Sequence, residues 1–274
     1  MHKLNEAIMD HQPVRLMEPD IKDAEVLLKL EDGAVKVIRV GDKAIKFGLG
    51  VCQREVDAMT FVRDHTCIPV PCVYDFYHDE KEQGYIVMDY VEGQNLEDCW
   101  GCLDELSKTK IAEQLRRYMD ELRSIPPPSP AYIGGVSHTP AIDLRNALAF
   151  GGPFASETEF DEWLLSRLLP RVQERMLVMP YLQEQFAAQT AEKQHSIVFT
   201  HADFHPRNIM VKGDQVVGWL DWEIAGWFPE HWEFVKAMQP LTKTDWLDYL
   251  LMILGEYEDE YMLDSVLGMY LQRF

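Results

Sequence analysis

The sequence predicts an α+β protein built from two parts, a small antiparallel sheet with one helix and a larger, mostly helical part. Three observations support this prediction. Short β-branched or apolar runs separated by turn residues fill the first part, helical spacing dominates the second, and a hairpin pattern near residue 210 interrupts the helices. With 274 residues, the chain is long enough for one large domain or two lobes. We place the boundary between residues 1–91 and residues 92–274.

The N-terminal part is expected to contain five strands and one helix, after an irregular or helical lead-in over residues 1–20. The turn signals Glu31-Asp32-Gly33 and Gly41-Asp42 separate the first three strands. A run with helical spacing and no proline or glycine predicts the helix. The predicted strands are Val26–Leu30, Val35–Val40, Lys43–Phe47, Val73–Tyr77 and Tyr85–Met88, and the predicted helix is Gln53–His65.

The C-terminal part is expected to be mostly helical. Lys108–Ile125 places its apolar side chains on one face, and the proline run 126–128 ends this helix. Residues 129–155 are rich in glycine and proline and are expected to form a long loop. Further helices are predicted at Glu157–Leu169, Arg171–Ala191, 230–239, 243–254 and 259–273.

The composition excludes several classes of function. A net charge of −20 argues against binding to nucleic acids or anionic membranes, because both need basic patches. The charge is compatible with a cationic substrate, and solubility alone explains it equally well. No secretory signal is visible, and the longest strongly apolar run, Leu250–Leu254, is too short to span a bilayer. We therefore expect a cytoplasmic protein whose five cysteines are reduced thiols.

The stretch from His201 to Asp221 reads HADFHPRNIMVKGDQVVGWLD and carries the strongest functional signal. Asp203 can accept a proton from a substrate hydroxyl, and Asn208, five residues later, can hold one Mg²⁺. The turn residues Gly213-Asp214 predict a hairpin that returns Asp221 to the side of Asn208, so that two oxygen ligands meet at one hard cation. The D-x-x-x-x-N spacing is that of kinase catalytic loops.

Lys46 is the second informative residue. It occupies an alternating position in a strand and has apolar neighbours, and a buried ammonium needs a partner. Glu55, near the start of the following helix, is the candidate partner. The alternative is a surface lysine whose aliphatic stem covers apolar surface, beside a glutamate favoured by the helix dipole. The presence of Asp203 and its neighbours favours the functional pair.

Together, these motifs resemble the aminoglycoside phosphotransferase-like kinases, small-molecule relatives of the protein kinases. The longer run from His201 to Glu230 resembles the branch of that family that is common in fungi. The resemblance covers most of the chain. It implies a protein kinase-like two-lobe fold, with a nucleotide-binding sheet lobe and a helical lobe that carries the catalytic loop and the acceptor site. It also implies transfer of the γ-phosphoryl group of ATP, or less readily GTP, with Mg²⁺ as cofactor.

The resemblance assigns roles on the nucleotide side. Lys46, held by Glu55, would grip the phosphates. The stretch around residues 85–93 resembles the hinge between the lobes. The adenine would hydrogen-bond the backbone of Asp89 and Val91, and Met88 would form one wall of its pocket.

Roles also follow for the catalytic loop. Asp203 would accept or orient the acceptor hydroxyl, and His201 would orient the loop through hydrogen bonds with the backbone. Asn208 and Asp221 would hold Mg²⁺. Two features depart from protein kinases: no G-x-G-x-x-G loop is present, with only Gly33 between the first two strands, and Asp221-Trp222-Glu223 replaces D-F-G. The second departure indicates that no mobile activation segment exists.

The acceptor is the least defined part of the prediction. Residues 244–264 contain seven acids and no lysine or arginine, and Glu256 and Asp259 are candidate contacts for a cationic acceptor. A solvated acidic helix face is the alternative. Arg207 and Glu223 are further candidates, although Arg207 could instead pair with a carboxylate. The acceptor could be an aminoglycoside-like compound, an amino alcohol, a sugar or a secondary metabolite.

Three other functions compete with this interpretation. The H-x-D-x-H pattern of His201 and His205 is compatible with a metal-dependent hydrolase. Catalytic zinc sites, however, usually have three protein ligands and one open position, and this function would leave Asn208 and Lys46 unexplained. A protein kinase shares the catalytic-loop motif but needs the D-F-G and A-P-E segments that this chain lacks. A catalytically silent nucleotide-binding or scaffold protein usually has lost a catalytic residue, and here all of them are present.

Overall fold

The computed structural model describes residues 24–29, 35–144, 149–175, 177–193, 195–238 and 245–271. The predicted lead-in over residues 1–20 and the glycine of the first loop, Gly33, lie outside the described residues. The fold is α+β, with a five-stranded antiparallel sheet followed by a mostly helical region. The predicted boundary after Val91 stays a prediction.

The N-terminal sheet confirms the five predicted strands. Its strands are β1 (Glu25–Lys29), β2 (Val35–Val40), β3 (Lys43–Gly48), β4 (Val73–His78) and β5 (Gly84–Asp89). They pair antiparallel in the order β1-β2-β3-β5-β4, so β3 lies at the centre. Helix α1 (Gln53–His65) follows β3 and has the predicted bounds. The helix stops there because Thr66, in an extended conformation, turns its hydroxyl and N–H back to the carbonyl of Val62.

The chain leaves this sheet through short elements and then becomes helical. In chain order these are β6 (Gln94–Asn95), α2 (Leu96–Cys99), α3 (Glu105–Arg123), β7 (Gly134–Gly135), β8 (Ala141–Asp143), β9 (Ala149–Gly151), α4 (Glu157–Ser166), α5 (Pro170–Arg175), α6 (Val178–Glu192), β10 (Ile197–Thr200), β11 (Ile209–Lys212), β12 (Gln215–Trp219), β13 (Gly226–Pro229), α7 (Trp232–Ala237), α8 (Trp246–Leu254) and α9 (Glu258–Gly268). Helix α3 starts earlier than predicted because the Asp104 carboxylate caps it, accepting the N–H of Ser107 at 2.7 Å.

Two predictions for this region were wrong. The expected long loop over residues 129–155 contains the short strands β7, β8 and β9. Strand β7 pairs with β13 because glycines let the two backbones approach closely: a Cβ at Gly226 would lie 2.4 Å from the carbonyl oxygen of Gly134. The expected helix Arg171–Ala191 is two helices, because Pro180 suits the first turn of a new helix and would break a continuous one.

The predicted hairpin is confirmed. Strands β11 and β12 pair antiparallel, with Ile209 opposite Trp219, and Gly213 takes a positive φ of 64° in the turn between them. The N–H of Leu220 donates to the carbonyl of Asn208 at 2.8 Å. Asp221, the residue after Leu220, is therefore brought back beside Asn208, as the hairpin pattern predicts.

The core runs from the sheet into the helical region. Helix α1 packs into the same apolar cluster as α3, α8 and the hairpin, and this cluster includes most of the large aromatic side chains. The tryptophans near the catalytic stretch are packing residues, as expected, and each is at most 3 % exposed: Trp219, Trp222, Trp227, Trp232 and Trp246. All five cysteines are free thiols. None of the described helices is long and apolar enough to cross a bilayer.

Candidate active site

A buried glutamate holds the start of the catalytic loop in place. The Glu233 carboxylate, on α7, accepts the N–H of His201 at 2.7 Å and the N–H of Ala202 at 2.9 Å. Burial raises the pKa of Glu233 to about 7. Ala202 has a positive φ of 67°, a costly conformation that these bonds support. The sequence analysis missed Glu233, although an acid in the apolar run 232–237 was the available signal.

His201 connects the loop to the hairpin through hydrogen bonds with the backbone. Its Nε2–H donates to the carbonyl of Leu220 at 2.9 Å, and its Nδ1 accepts the N–H of Asp203 at 3.2 Å. The ring is fully buried between Trp219 and Trp222. Burial lowers the pKa of His201, so the ring is neutral and can make both bonds at once.

Asp203 is held by two neighbours in the sequence. Arg207 places Nη2 at 2.6 Å from Oδ1 and 2.8 Å from Oδ2 of the carboxylate. Asn208 donates its amide N–H to Oδ2 at 2.7 Å and to the backbone carbonyl of Asp203 at 2.9 Å. The Arg207 side chain is 44 % exposed and that of Asp203 is 26 % exposed, so solvent and small molecules can reach this pair. The structure thus favours the carboxylate-pairing alternative for Arg207.

Lys46 lies among three carboxylates that come from two parts of the chain, Glu55 from α1 and Asp221 and Glu223 from the segment after the hairpin. Its Nζ is 2.8 Å from Glu55, 2.7 Å from Asp221 and 3.6 Å from Glu223. The lysine is 7 % exposed and Glu55 is 2 % exposed, which excludes the alternative of a surface lysine. Burial alone would lower the pKa of Lys46, but the three carboxylates raise it, so the ammonium stays charged. Burial raises the pKa of Glu55 to about 7 despite the attraction of Lys46.

The hairpin turns Asp221 toward this cluster. Asp221 has a positive φ of 67°, and its side chain is 36 % exposed while Oδ1 accepts a hydrogen bond from Lys46. Burial opposes ionisation, but the ammonium of Lys46 lowers the pKa of Asp221. Asn208 uses its amide nitrogen for Asp203, so its amide oxygen is the atom that would meet a cation. One ionised carboxylate and one amide oxygen are suitable ligands for a hard cation such as Mg²⁺.

A buried arginine ties α1 to the segment after the hairpin. Arg54 donates Nε–H to the carbonyl of Glu223 at 3.1 Å and Nη1–H to the carbonyl of Pro140. A Cβ at Gly135 would lie 2.4 Å from Nη2 of Arg54, so a larger residue there would displace the guanidinium. The sequence analysis assigned a role to Glu55 but not to its neighbour Arg54. It therefore missed that Arg54 connects α1, which carries Glu55, to the segment that carries Glu223.

The predicted hinge residues end β5. Met88 is 8 % exposed, and the Asp89 carboxylate accepts the N–H of Cys72 at 2.9 Å and the hydroxyl of Tyr74. The backbone N–H of Asp89 also donates to Cys72. Val91 packs against the hairpin, since a Cβ at Gly218 would lie 2.8 Å from its side chain. Adenine recognition by Asp89 and Val91 stays a prediction.

The structure separates the four candidate acceptor residues. Arg207 contacts Asp203, and Glu223 contacts Lys46. Asp259 is exposed and pairs instead with Lys193 at 3.1 Å, beside a cavity of about 350 Å³ between α6 and α9. Glu256 is exposed on the turn before α9. The described contacts of Asp203 include neither Glu256 nor Asp259.

The hydrolase alternative finds no support in this geometry. Both ring nitrogens of His201 are engaged by the backbone. His205 accepts the N–H of Arg207, 3.4 Å away, with Nδ1. The groups of metal-ligand side chains found among the described residues include neither histidine.

The sequence of this chain matches one protein-family model. The family model described as "Phosphotransferase enzyme family" matches residues 46–266. A comparison with curated proteins finds no match. The match starts at Lys46 and includes every site residue discussed above.

Solved structures show the same fold. Aminoglycoside 2′-phosphotransferase-IIIa in complex with GDP has a TM-score of 0.60 at 16 % identity, with 92 % of this chain and 84 % of that chain covered. The complex of APH(2″)-IIIa with GDP and kanamycin has a TM-score of 0.59 at 17 % identity, covering 91 % and 84 %. A thermostable mutant of aminoglycoside phosphotransferase APH(4)-Ia with ADP and hygromycin B has a TM-score of 0.54 at 15 % identity, covering 78 % and 71 %.

Proposed function

Because the chain belongs to the phosphotransferase enzyme family, whose model matches residues 46–266, we propose that it is a small-molecule kinase. The reaction is transfer of the γ-phosphoryl group of ATP to a hydroxyl group of a small acceptor. In this proposal residues 1–91 bind the nucleotide, and residues 92–274 carry the catalytic loop and the acceptor site.

One observation carries the proposal: a buried ammonium lies among carboxylates, and one of these, the partly exposed Asp221, is next to the buried Asn208 and the partly exposed Asp203. Lys46 contacts Asp221 at 2.7 Å, and the hairpin places Asp221 next to Asn208, which hydrogen-bonds Asp203. Phosphoryl transfer needs positive charge at the phosphates, oxygen ligands for a metal and a carboxylate at the acceptor hydroxyl. All three requirements are met within one continuous set of contacts.

The chemistry assigns a task to each group. Lys46 exchanges its contact with Asp221 for a phosphate oxygen when the nucleotide binds, and Glu55 keeps the ammonium in place. The acceptor hydroxyl donates to Asp203, and its oxygen forms a bond to the γ-phosphorus. The bond from that phosphorus to the bridging oxygen breaks, ADP leaves, and Asp203 takes the proton. Because the transition state is loose, orienting the hydroxyl is the larger contribution of Asp203.

Asn208 and Asp221 would hold Mg²⁺ through the amide oxygen and the carboxylate. The bound ion supplies positive charge that neutralises the phosphates as the reaction proceeds. Glu223 is half-buried, and burial together with the nearby Asp221 raises its pKa. Its position beside Lys46 indicates a role on the phosphate side rather than at the acceptor.

The donor base would be recognised by the end of β5. Met88 forms an apolar wall, and the backbone of Asp89 and Val91 provides the hydrogen-bonding groups. Among the similar structures, one enzyme is in complex with GDP and another with ADP. We propose ATP as the donor for this chain.

A small hydroxylated acceptor with a positive charge fits the electrostatics best. The net charge of −20 attracts cations. One of the similar enzymes is in complex with kanamycin and another with hygromycin B. These complexes support an aminoglycoside-like acceptor for this chain. Arg207 on Asp203 disfavours a cationic group directly beside the catalytic carboxylate, so the acceptor would present a neutral hydroxyl there. Its cationic groups would bind acids farther away, with Glu256 and Asp259 as the initial candidates.

The test is phosphoryl transfer from γ-labelled ATP with Mg²⁺ to a panel of aminoglycosides, amino alcohols and sugars. Separation of the products identifies the labelled acceptor. The wild type is compared with Asp203→Asn and with Asp120→Asn, a matched change at an exposed acid that pairs with Arg116 on α3. We expect one class of acceptor to be labelled by the wild type and by Asp120→Asn, but not by Asp203→Asn.

Two results would contradict the proposal. Labelling of protein substrates in preference to every small molecule would indicate a protein kinase. Tight nucleotide binding without transfer to any member of the panel or to water would favour a catalytically silent nucleotide-binding protein.

A further inference from the structure

A second set of metal-ligand side chains lies away from the candidate active site. It consists of Glu157 at the start of α4, His195 before β10 and His231 before α7, which we call the histidine cluster. One potential ligand atom of each residue lies within 4.8 Å of those of the other two. We propose that the histidine cluster binds one divalent transition-metal ion of the Zn²⁺ type, independently of the nucleotide and its Mg²⁺.

His195 has the surroundings of a metal ligand. Its Nδ1 is 2.7 Å from Oε1 of Glu157, and its Nε2 is 3.3 Å from Oε1 of Glu260. Lys193 donates to the same Glu260 oxygen at 2.8 Å and fixes that carboxylate. Histidines that bind metals commonly give their other ring N–H to a carboxylate, which fixes the tautomer and the ring orientation. Glu260 is placed to accept that N–H, so Nδ1 and Glu157 together would face the ion.

His231 provides the independent observation. Its Nδ1 is buried, and it has no hydrogen-bond partner among the described residues. A buried polar atom without a partner costs roughly 1–3 kcal/mol, so such an atom needs an explanation. The ring contacts that of His195, with centroids 4.4 Å apart. An ion bound between the two imidazoles and Glu157 would satisfy this nitrogen.

The donor set decides which ions fit. Two imidazole nitrogens and one carboxylate oxygen suit Zn²⁺ and its neighbours Co²⁺ and Ni²⁺. Mg²⁺ and Ca²⁺ prefer sites made of oxygen atoms, as at Asn208 and Asp221. The side chains of His195 and Glu157 are 5 % and 11 % exposed, which limits competition by water. The histidine cluster is therefore expected to discriminate against the metal of the active site.

Metal binding at this place would strengthen the support of the catalytic loop. His195 lies two residues before the start of β10, and the chain leaves β10 at His201. His231 lies two residues before Glu233, whose carboxylate holds the backbone N–H groups of His201 and Ala202. An ion on the histidine cluster would cross-link these two segments and α4. Since only the folded chain assembles the three ligands, the ion would raise the unfolding temperature.

The experiment uses the full chain without a histidine tag, freed of metal by a chelator and then dialysed. Co²⁺ is added stepwise, and its visible absorption shows when the ion is bound at a site with few ligands. Zn²⁺ is then added to displace the bound Co²⁺. Bound Zn²⁺ is counted by elemental analysis, and thermal unfolding is measured with Zn²⁺ and with Mg²⁺. These readouts need no nucleotide and no acceptor, so they are independent of the proposed kinase activity.

We expect one tightly bound ion per chain, a Co²⁺ absorption that Zn²⁺ removes, and a rise in unfolding temperature with Zn²⁺ but not with Mg²⁺. His231→Ala should weaken Zn²⁺ binding at least about 100-fold, since loss of even an outer partner costs about 10–100-fold. His78→Ala removes an exposed histidine of β4 and should change nothing. Asp221→Asn should also leave Zn²⁺ binding intact.

The proposal is overturned if the wild type binds no Co²⁺ or Zn²⁺. In that case His195 is a protonated bridge between Glu157 and Glu260. Binding that is equally strong in His231→Ala would also overturn it. If His231→Ala does not fold, Glu157→Gln and His195→Gln replace it, and each must weaken binding for the proposal to stand.

Discussion

The phosphate side and the acceptor side of the proposed active site are built in different ways. On the phosphate side, Lys46, Glu55 and Asp221 come from β3, α1 and the segment after the hairpin, and buried ion pairs hold them. On the acceptor side, Asp203 and Arg207 belong to one short loop and are partly exposed. The first arrangement depends on the whole fold, whereas the second depends on local backbone and a single carboxylate, Glu233. Changes on the phosphate side should therefore affect stability and activity together, and changes on the acceptor side should affect activity alone.

The largest effect is expected for Lys46→Met. Removing one partner of a buried ion pair leaves the other uncompensated, and such changes cost about 3–5 kcal/mol of stability. The variant should also lose measurable phosphoryl transfer, because no ammonium remains for the phosphates. Chemical denaturation and the labelled-ATP assay measure the two effects.

A second change separates these two effects. Lys46→Met combined with Glu55→Gln removes the unpaired charge, so it should recover part of the stability without recovering transfer. Recovery of transfer in the double variant would show that Lys46 has only a structural role.

On the acceptor side, Asp203→Asn should lower kcat about 1000-fold, within the range expected for loss of a general base. Its stability should stay within about 1 kcal/mol of the wild type, because Asp203 is partly exposed and the amide can still accept hydrogen bonds. Nucleotide binding should be retained. A large loss of stability in this variant would contradict the contrast between the two sides.

The phosphate side should also make stability depend on pH. Burial raises the pKa of Glu55 from 4.5 to about 7 in the folded protein. Stability from this group is complete below the unfolded pKa and is lost as the pH rises through about 7. Relative to Glu55→Gln, the wild type should lose on the order of 3 kcal/mol between pH 4.5 and pH 8, at about 1.4 kcal/mol per unit. Urea denaturation across this range measures the difference, and parallel curves for the two proteins would count against it.

The smallest effect is expected for Arg207→Gln. The ion pair with Asp203 is partly exposed, so its loss should change stability by less than about 1 kcal/mol. Removing the guanidinium removes a positive charge near the place where the acceptor hydroxyl would bind, so a cationic acceptor is repelled less. Its KM should therefore fall by up to about tenfold, the equivalent of ~1.4 kcal/mol. Arg116→Gln on α3 is the matched control. An equal change of KM for cationic and neutral acceptors would indicate that Arg207 acts through packing.

Several elements of the proposed active site could be predicted because each has a local pattern. A lysine in an apolar strand, the spacing from Asp203 to Asn208 and the glycine turn of the hairpin are visible within short windows. Glu233 and Arg54 could not be placed in the same way. Glu233 bonds to residues that are 31 and 32 positions away in the sequence, and Arg54 bonds to residues that are 86 and 169 positions away. No periodicity in the sequence indicates pairs with such separations.

The acceptor residues were harder for a different reason. Acids in residues 244–264 are a compositional signal, and solvated helix faces give the same signal. The structure shows Asp259 paired with Lys193 and Glu256 exposed, while the half-buried Glu223 lies beside Lys46. Local pattern thus pointed to the residues proposed for phosphoryl transfer but not to the surface that would select an acceptor.

The most direct test of this account is thermal unfolding with Mg²⁺–ATP for the wild type, Asp221→Asn and Asp203→Asn. A ligand that binds only the folded state must raise the unfolding temperature. We predict a metal-dependent rise in the wild type and in Asp203→Asn, and its loss in Asp221→Asn. The absence of any rise in the wild type, or an equal rise in all three proteins, would contradict the placement of the nucleotide and metal between Lys46 and Asp221.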